Sequence, residues 1–530
     1  MSTLTGTGHL TRLILRRDRI VLPLWVLPLA ALPVSYAGSF IALFPTAAER
    51  AAYADGTARS PSVVALLGPV YGDSIGALTA QRGGFLQVIV GLAALLTVIR
   101  HTRTEEEAGR RELLGATVLG RHAGLTAALL VTYAASLVLG LLTAAGLAAA
   151  GLPLAGSLAY GLSVALVGVV FASVGGLAAQ LTQTAAGARG IAVGVLGVTF
   201  ALRLVGDTSD QGWPSWLSPL GWAPRIRAYE GERWWVLALP AALTALLAVV
   251  TYPVSVRRDL GAGLLPSRPG PARAGRALSG PFGLAWRLHR GQLLGWSVGF
   301  GLLGLVVGGA AESAGRSVAG NAALEQVMAR LGGASGLAEA YLGASLGVAG
   351  LAAAGYGVQA ALRMRSEEAA GRVEPVLATG VHRSAWLASH LVFALLGPVV
   401  ALALTGLAAG LTYGLGVGDV PGELPRMLGA ALAQVPAAWV LAGLAVLLHG
   451  LLPRFTAAAW AVLALAVLLG QLGAVLELSQ WLLDLSPFTH TPQVLRPGWS
   501  VTPLLALTAL AGVLCATGFV SFRRRDTPVG

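Results

Sequence analysis

Two charged loops, one in each half of the chain, carry the residues best suited to chemistry. The first reads Arg-Thr-Glu-Glu-Glu-Ala-Gly-Arg-Arg-Glu over 103–112, and the second reads Arg-Ser-Glu-Glu-Ala-Ala-Gly-Arg-Val-Glu over 365–374. Carboxylates and guanidiniums at this density form ion pairs and recognise complementary charges on a partner protein. The sequence shows neither a nucleophile with a base nor a His/Asp/Glu set with metal-ligand spacing. The loops therefore predict recognition, and we expect a protein that is not an enzyme.

The basic residues restrict the chemistry further. All 36 are arginine, so the chain contains no lysine. A P-loop needs the lysine of its consensus to reach the nucleotide phosphates. This chain therefore cannot form that ATP site, and any nucleotide energy must come from another polypeptide. The single cysteine, Cys515, permits no internal disulfide and no thiolate cluster.

The elements that must position these loops cross a membrane. Apolar residues make up 55% of the chain, charged residues only 11%, and the mean hydropathy is +0.73, whereas soluble proteins have about 25% charged residues. Charge-free runs reach the roughly 20 residues that a helix needs to cross a bilayer. The sequence predicts an all-α polytopic membrane protein whose first span is retained, since no cleavable signal peptide precedes it. The twelve predicted spans are 20–44, 83–100, 123–150, 156–181, 190–205, 234–256, 291–311, 341–362, 386–412, 427–450, 456–476 and 502–522.

Charge asymmetry predicts the orientation of these spans. With the amino terminus in the cytosol, the net charge of +12 divides into +15 on the inner side and −3 on the outer side. Arginine-rich loops remain cytosolic, so we expect a multi-pass plasma-membrane protein with both termini in the cytosol. The arginines are suited to anionic membrane lipids. They lack the interleaved aromatic residues of a nucleic-acid platform, so we expect no nucleic-acid partner.

The second half of the sequence repeats the first. Residues 103–125 and 365–387 share 12 identities in 23 positions, and Arg257-Arg258-Asp259 recurs as Arg524-Arg525-Asp526. We therefore predict two parallel six-span halves, 1–256 and 281–530, joined by a cytosolic linker over 257–280. The residues before the first span of each half are amphipathic. They form either an interfacial helix or an extension of the span.

Each charged loop predicts a helical stalk followed by a short helix. Span 2 should continue into the cytosol through Glu105–Glu107 and stop near Gly109, with the short helix from Glu112 to about Val118. In the second half Pro375 favours a new helix at that point, since proline is tolerated in a first turn. We expect the i,i+4 pairs Glu106–Arg110 and Glu368–Arg372 to support the stalks. The alternative is that both loops are merely solvated charge runs.

Three features of the sequence resemble the duplicated permeases of ABC-2-type exporters. They are these loops, the arginine-rich starts of spans 1 and 7, and the Ser-Pro segments before spans 6 and 12. The resemblance covers the whole chain and is greatest to the polyketide-antibiotic exporters, similar to tetronasin-resistance permeases of high-GC Gram-positive bacteria. It implies export of hydrophobic small molecules across a bacterial cell membrane. It also implies that the short helices couple to two copies of a cytosolic ABC ATPase, which would carry the ATP and magnesium; no cofactor is expected in this chain.

The resemblance assigns ATPase coupling to the charged positions of both loops and to the arginine that follows each. They are Arg103, Glu105, Glu106, Gly109, Arg110, Glu112 and Arg121, with Arg365, Glu367, Glu368, Gly371, Arg372, Glu374 and Arg383. Ala369 replaces the third acid of the first loop, and Pro375 replaces Leu113. We therefore expect the two couplings to be unequal.

A secondary drug/proton antiporter of the twelve-span major-facilitator type is the alternative function. It needs titratable groups inside the spans, whereas Arg203, His449 and Glu477 lie at span ends, where we expect snorkelling or interfacial placement.

Four tryptophans are candidates for an apolar substrate path, although tryptophan is also enriched at membrane interfaces. They are Trp25, Trp296, Trp439 and Trp460. Further tryptophans between 213 and 235 predict short re-entrant or interfacial helices on the outer side.

Overall fold

The computed structural model describes most of the chain. The described residues are 2–59, 61–110, 118–209, 212–259, 261–265, 273, 275, 278–316, 333–472, 479–495 and 498–525, with side chains left undescribed at 61–62, 312–316, 333–337 and 471–472. All regular secondary structure within these ranges is helical. The molecule is an all-α polytopic membrane protein of about twelve spans, as the sequence predicts.

The first half contains six helices that are long and apolar enough to cross a membrane. These spans 1–6 are Val21–Leu43, Leu86–Glu107, Ala123–Ala149, Leu154–Leu181, Ala185–Thr208 and Trp234–Arg257. An amphipathic helix, Thr7–Arg17, precedes them, and we call it the leading helix. This helix is separate from span 1. Of the two predicted alternatives, a separate interfacial helix therefore fits the first half better than an extension of the span.

The second half contains five such helices among its described residues. Spans 7–10 and 12 are Pro281–Ala311, Ala338–Ala369, Arg383–Val417, Val420–Leu451 and Thr502–Arg524. Span 11 is described only as the shorter helix Ala458–Leu472. Span 7 belongs to one continuous helix, Pro281–Arg316. The amphipathic residues of this half therefore extend a spanning helix, unlike those of the first half.

Small residues let neighbouring spans approach closely. A Cβ on Gly140 of span 3 would lie 2.3 Å from the carbonyl oxygen of Gly161 on span 4, and the reverse distance is also 2.3 Å. Apolar side chains gain little by leaving lipid for a helix interface, so close backbone packing contributes much of the association between spans. The many glycines and alanines of this sequence thus serve span packing.

Short helices connect the spans at the ends opposite the charged loops. In the first half they include the 3-10 helix Trp213–Leu217 and the α-helix Pro219–Arg225, and span 6 itself begins with the 3-10 helix Trp234–Leu237. Trp216 and Trp235 stack with their ring centroids 5.8 Å apart. These elements match the short helices that the tryptophan pattern predicts there.

The contacts divide the chain into two compact units, Met1–Gly270 and Pro271–Gly530. Within each unit, the charged loop, the amphipathic residues and the end of the last span lie at the same end of the bundle. We call it the basic end. The candidate site of each half is therefore built from residues far apart in sequence.

Candidate functional site

Both stalks end at a glycine with left-handed backbone geometry. The helix Arg103–Glu107 ends before Gly109, whose φ is +70°. The helix Gly333–Ala369 ends before Gly371, whose φ is +66°. Glycine adopts this conformation without the steric cost that a Cβ imposes. The predicted stop near Gly109 therefore agrees with the structure, and the second half repeats it.

The predicted i,i+4 pairs are wrong, because this left-handed turn redirects each arginine. Arg110 binds Glu105 through two hydrogen bonds of 2.7 and 3.0 Å. Arg372 binds Glu367 in the same way, at 2.7 and 3.2 Å. These hydrogen bonds raise the pKa of both arginines. Each pair closes the turn, and the glutamate that follows in the sequence has other partners.

In the first half, that next glutamate joins the stalk to the end of span 6. Glu106 receives two hydrogen bonds from Arg258, at 2.6 and 2.9 Å. The backbone N–H of Gly261 donates to the same carboxylate at 2.8 Å, and Arg103 lies 3.1 Å from it. The side chains of Glu106 and Arg103 are only 3% and 1% exposed. We call Arg103, Glu106 and Arg258 the first ion-pair cluster.

The second half builds the corresponding cluster from the equivalent positions of the repeat. Glu368 accepts a 2.6 Å hydrogen bond from Arg525, which follows span 12. Arg365 lies 4.0 Å from the same carboxylate. We call Arg365, Glu368 and Arg525 the second ion-pair cluster. The looser distance and the larger exposure of Arg365, 34%, make this cluster less enclosed than the first.

Gln180 and His449 approach these clusters from the ends of spans 4 and 10. Gln180 accepts a 2.8 Å hydrogen bond from Arg258. His449 is buried, with its Nε2 3.7 Å from Glu368. Snorkelling is therefore the wrong explanation for His449, although the residue does lie at a span end. Glu477 is outside the described residues.

The arginines that follow the two loops have equivalent contacts. Arg121 donates to the backbone carbonyl of Val256 at the end of span 6. Arg383 donates to the backbone carbonyl of Arg525 at 2.8 Å. In both halves the start of the third helix of the repeat is thereby tied to the end of the sixth. In each half, the ion-pair cluster and this arginine contact therefore both hold the end of the last span.

Glu107 has a separate partner that explains one difference between the loops. Its carboxylate accepts a 2.8 Å hydrogen bond from the backbone N–H of Ala185. Ala185 is the first residue of span 5, where unpaired N–H groups and the helix dipole favour an anion. Ala369 stands at the equivalent position of the second loop and has no carboxylate. The first loop therefore holds span 5 in a way that the second cannot repeat.

Asp18 anchors the end of span 2 to the leading helix and is fully buried. It lies 2.5 Å from His101 and 3.2 Å from Arg100. In the second half His289 occupies the repeat position of Asp18, and its Nε2 lies 2.9 Å from Nδ1 of His390. The halves thus share the architecture of the basic end, but its polar contacts differ.

The predicted short helices are only partly described. In the second half the helix Val373–Ala378 contains Glu374 in its first turn, as the sequence predicts. Glu112 and the predicted first-half helix fall largely on 111–117, outside the described residues. The described coupling residues differ in exposure. The side chains of Glu106 and Glu368 are only 3% and 4% exposed in the clusters, whereas Arg110, Arg372 and Glu374 are exposed.

Of the two expected placements of Arg203, snorkelling or an interfacial position, snorkelling is wrong. Arg203 is fully buried at the opposite end from the clusters, pairing with Asp207 at 3.2 Å. It donates to the backbone carbonyl of Gly84 at 2.9 Å, and Arg225 also pairs with Asp207. A Cβ on Gly68 or Gly84 would lie within 2.8 Å of the Arg203 guanidinium. Gly68 and Gly84 leave space for the Arg203–Asp207 ion pair. Through Arg225, this pair connects span 5 to the short helix Pro219–Arg225.

The four candidate path tryptophans have different environments. Trp296 donates to Gln359 at 3.1 Å, and Trp439 donates to the backbone carbonyl of Leu395 at 2.8 Å. Trp25 packs partly buried in the first half, whereas Trp460 is 43% exposed. None of them lines the cavity of about 640 Å³ in the second half, whose wall includes Tyr341 and Gln434. Their assignment to a substrate path stays a prediction.

Sequence comparisons agree with a transport role. A family model described as "Multidrug efflux system permease Rv1217c, C-terminal domain" matches residues 278–523. The "Multidrug efflux system permease protein Rv1217c" of Mycobacterium tuberculosis (strain ATCC 25618 / H37Rv) is 47% identical over 526 residues, which cover 99% of this chain and 96% of that protein. Because this similarity extends over nearly the full length of both proteins, the chain belongs to the multidrug efflux system permease family.

Proposed function

We propose that the chain is the permease subunit of an ATP-driven ABC exporter that moves hydrophobic compounds, such as polyketide antibiotics or drugs, out of the cell. One chain supplies both permease halves and pairs with two copies of a cytosolic ATPase. The basic end faces the cytosol. The observation that carries the proposal is the duplicated ion-pair cluster, which connects a charged loop to the last span in each half.

The missing lysine and the exposed loop charges support an external energy source. A chain without lysine has no P-loop of its own. The exposed Arg372 and Glu374 lie beside the short helix of the second half, where an ATPase can bind them. Glu112 occupies the equivalent position in the first loop. These residues are the proposed docking contacts.

The buried clusters carry movement from the docked loop into the bundle. A force on the first loop reaches span 6 through Glu106 and Arg258, and it reaches span 5 through Glu107. The second loop reaches span 12 through Glu368 and Arg525. Glu106 and Glu368 are therefore positioning residues that act on the spans, and the exposed charges bind the partner.

Reversal of the docking charges tests the first step. In Glu112→Arg/Glu374→Arg, loss of charged contacts at an interface costs about 2–5 kcal/mol, so ATPase co-purification should fall and transport should stop. Folding should be preserved, because both residues lie outside the spans. Asp484→Arg is the control, since this exposed carboxylate lies between spans 11 and 12, at the opposite end of the second half. If the double variant retains its ATPase and normal efflux, the loops are solvated charge runs.

Neutralisation of the clusters tests the second step separately. Glu106→Gln/Glu368→Gln should retain the ATPase, because neither carboxylate is exposed, but should lose drug transport per ATP hydrolysed. The purified complex allows both quantities to be measured together. Normal coupling in this variant would show that the clusters do not transmit movement.

A further inference from the structure

The basic end of the first half contains a cavity of about 460 Å³. It lies between the leading helix, the stalk, the start of span 3 and the end of span 6. This volume is within the roughly 300–1,000 Å³ of small-molecule pockets. The coupling of the loops to the spans does not require this space.

The cavity has the chemistry of an amphiphile site. Five leucine and isoleucine side chains form its apolar wall, among them Leu13 of the leading helix and Leu119 before span 3. Three guanidiniums also line it, those of Arg17, Arg121 and Arg258. An apolar wall below charged groups at the ends of spans matches the boundary between lipid chains and headgroups.

Arg121 is the cation available to a ligand. Arg17 pairs with Glu105, and Arg258 pairs with Glu106. Arg121 donates only to a backbone carbonyl, and no carboxylate of the described chain lies within ion-pair distance. That contact holds the guanidinium at the cavity without neutralising it. Asp259 lines the cavity as well, but its exposed carboxylate forms no ion pair with Arg121.

The leading helix adds further uncompensated charge. Arg12 and Arg16 are exposed and have no carboxylate partner within the described ranges. Arginines near a membrane surface attract anionic lipid, and basic pockets between spans bind lipid headgroups. The surroundings of the cavity therefore favour an anion that also has an apolar body.

The second half has a cavity at the equivalent place, but its chemistry differs. That cavity measures about 430 Å³, and Leu284 and Glu367 line it at the repeat positions of Leu13 and Glu105. Its two arginines, Arg363 and Arg372, both pair with Glu367. Trp386 lines it where the first half has Gly124. In the second cavity each arginine therefore contacts a carboxylate, unlike Arg121 in the first cavity.

We propose that the first-half cavity binds one anionic phospholipid, with the phosphate on Arg121 and the adjoining acyl segment against Leu13 and Leu119. The second-half cavity does not bind it, so each chain holds one such lipid. The bound lipid bridges the leading helix, span 3 and the end of span 6, beside the first ion-pair cluster. This binding does not depend on an ATPase.

The test uses the full chain purified in detergent and native mass spectrometry during titration with phosphatidylglycerol or phosphatidylcholine. The wild type should retain one phosphatidylglycerol in preference to phosphatidylcholine. Arg121→Gln should bind it roughly tenfold more weakly, because one charge-assisted contact is lost. Arg383→Gln is the matched control and should bind normally, since Arg383 has the same backbone contact but does not line the second cavity.

Further arms separate the lipid from other occupants. Gly124→Trp introduces the second-half side chain and should reduce retention without removing a charge, and elution profiles check folding. Equal losses in Arg121→Gln and Arg383→Gln would overturn the proposal in favour of general surface attraction. Displacement by inorganic phosphate alone, or by a transported hydrophobic drug, would also overturn it, because the cavity would then hold a free anion or cargo.

Discussion

Neighbouring glutamates of each loop have different partners, and this difference separates their roles. Glu105 binds arginines that remain exposed, whereas Glu106 is enclosed with Arg103 and Arg258. A buried charge that loses its partner has no water to replace it, so its removal is far more costly than that of an exposed one. In the second half this contrast is smaller, because the side chains of Glu367 and Glu368 are 8% and 4% exposed.

Replacing Glu106 by glutamine should therefore destabilise the protein by about 3–5 kcal/mol, the usual cost of breaking a buried ion pair. Glu368→Gln should cost less, because Arg365 and Arg525 are more exposed. Thermal unfolding of the purified chain measures both, with Glu105→Gln as the matched control. Equal melting temperatures for Glu106→Gln and Glu105→Gln would mean that the first cluster is not buried in solution.

The sequence identified the loops but not their partners. Arg258 lies 152 positions from Glu106, and helical spacing predicts only local pairs. The turn at Gly109 changes even the local pairing, because it ends the periodicity on which i,i+4 reasoning depends. The recurring Arg-Arg-Asp after spans 6 and 12 was the available signal. Likewise, the i,i+4 spacing of Arg203 and Asp207 was the available signal for their ion pair, but spacing alone does not predict its burial.

At the scale of the elements, the stalk and the short helix depend on one left-handed glycine in each half. A Cβ on Gly109 or Gly371 would meet no atom within 4 Å. Substitution there consequently tests the backbone conformation alone. The spans themselves could be predicted from charge-free runs, because length and apolarity determine them. The separate leading helix of the first half could not, since the amphipathic pattern is the same in both halves.

Gly109→Ala and Gly371→Ala should each cost about 1–2 kcal/mol, because alanine is strained at positive φ. The stalk should then lengthen and shift the short helix, which weakens ATPase co-purification. Asparagine tolerates the left-handed region better, so Gly109→Asn should lose less than Gly109→Ala. The ranking glycine, asparagine, alanine in melting temperature is the expected result, and equal values for all three would contradict it.

At the scale of the whole molecule, the charge asymmetry predicts the orientation of the spans. In a variant whose native Cys515 is replaced by alanine, cysteine introduced at Gly212 should react with an impermeant thiol reagent in intact cells. Cysteine introduced at Ala108 should react only after permeabilisation, because this loop belongs to the +15 side. Labelling of Ala108→Cys in intact cells would reverse the orientation and remove the loops from reach of a cytosolic ATPase.

The energy source is the central claim, and transport into inverted membrane vesicles tests it most directly. Vesicles with this chain and its ATPase should accumulate a hydrophobic drug when ATP is added, and vanadate should stop the accumulation. Vesicles with the chain alone should accumulate none, with ATP or with a proton gradient. Vanadate-insensitive accumulation by the chain alone, driven by a proton gradient, would contradict the account and identify a drug/proton antiporter.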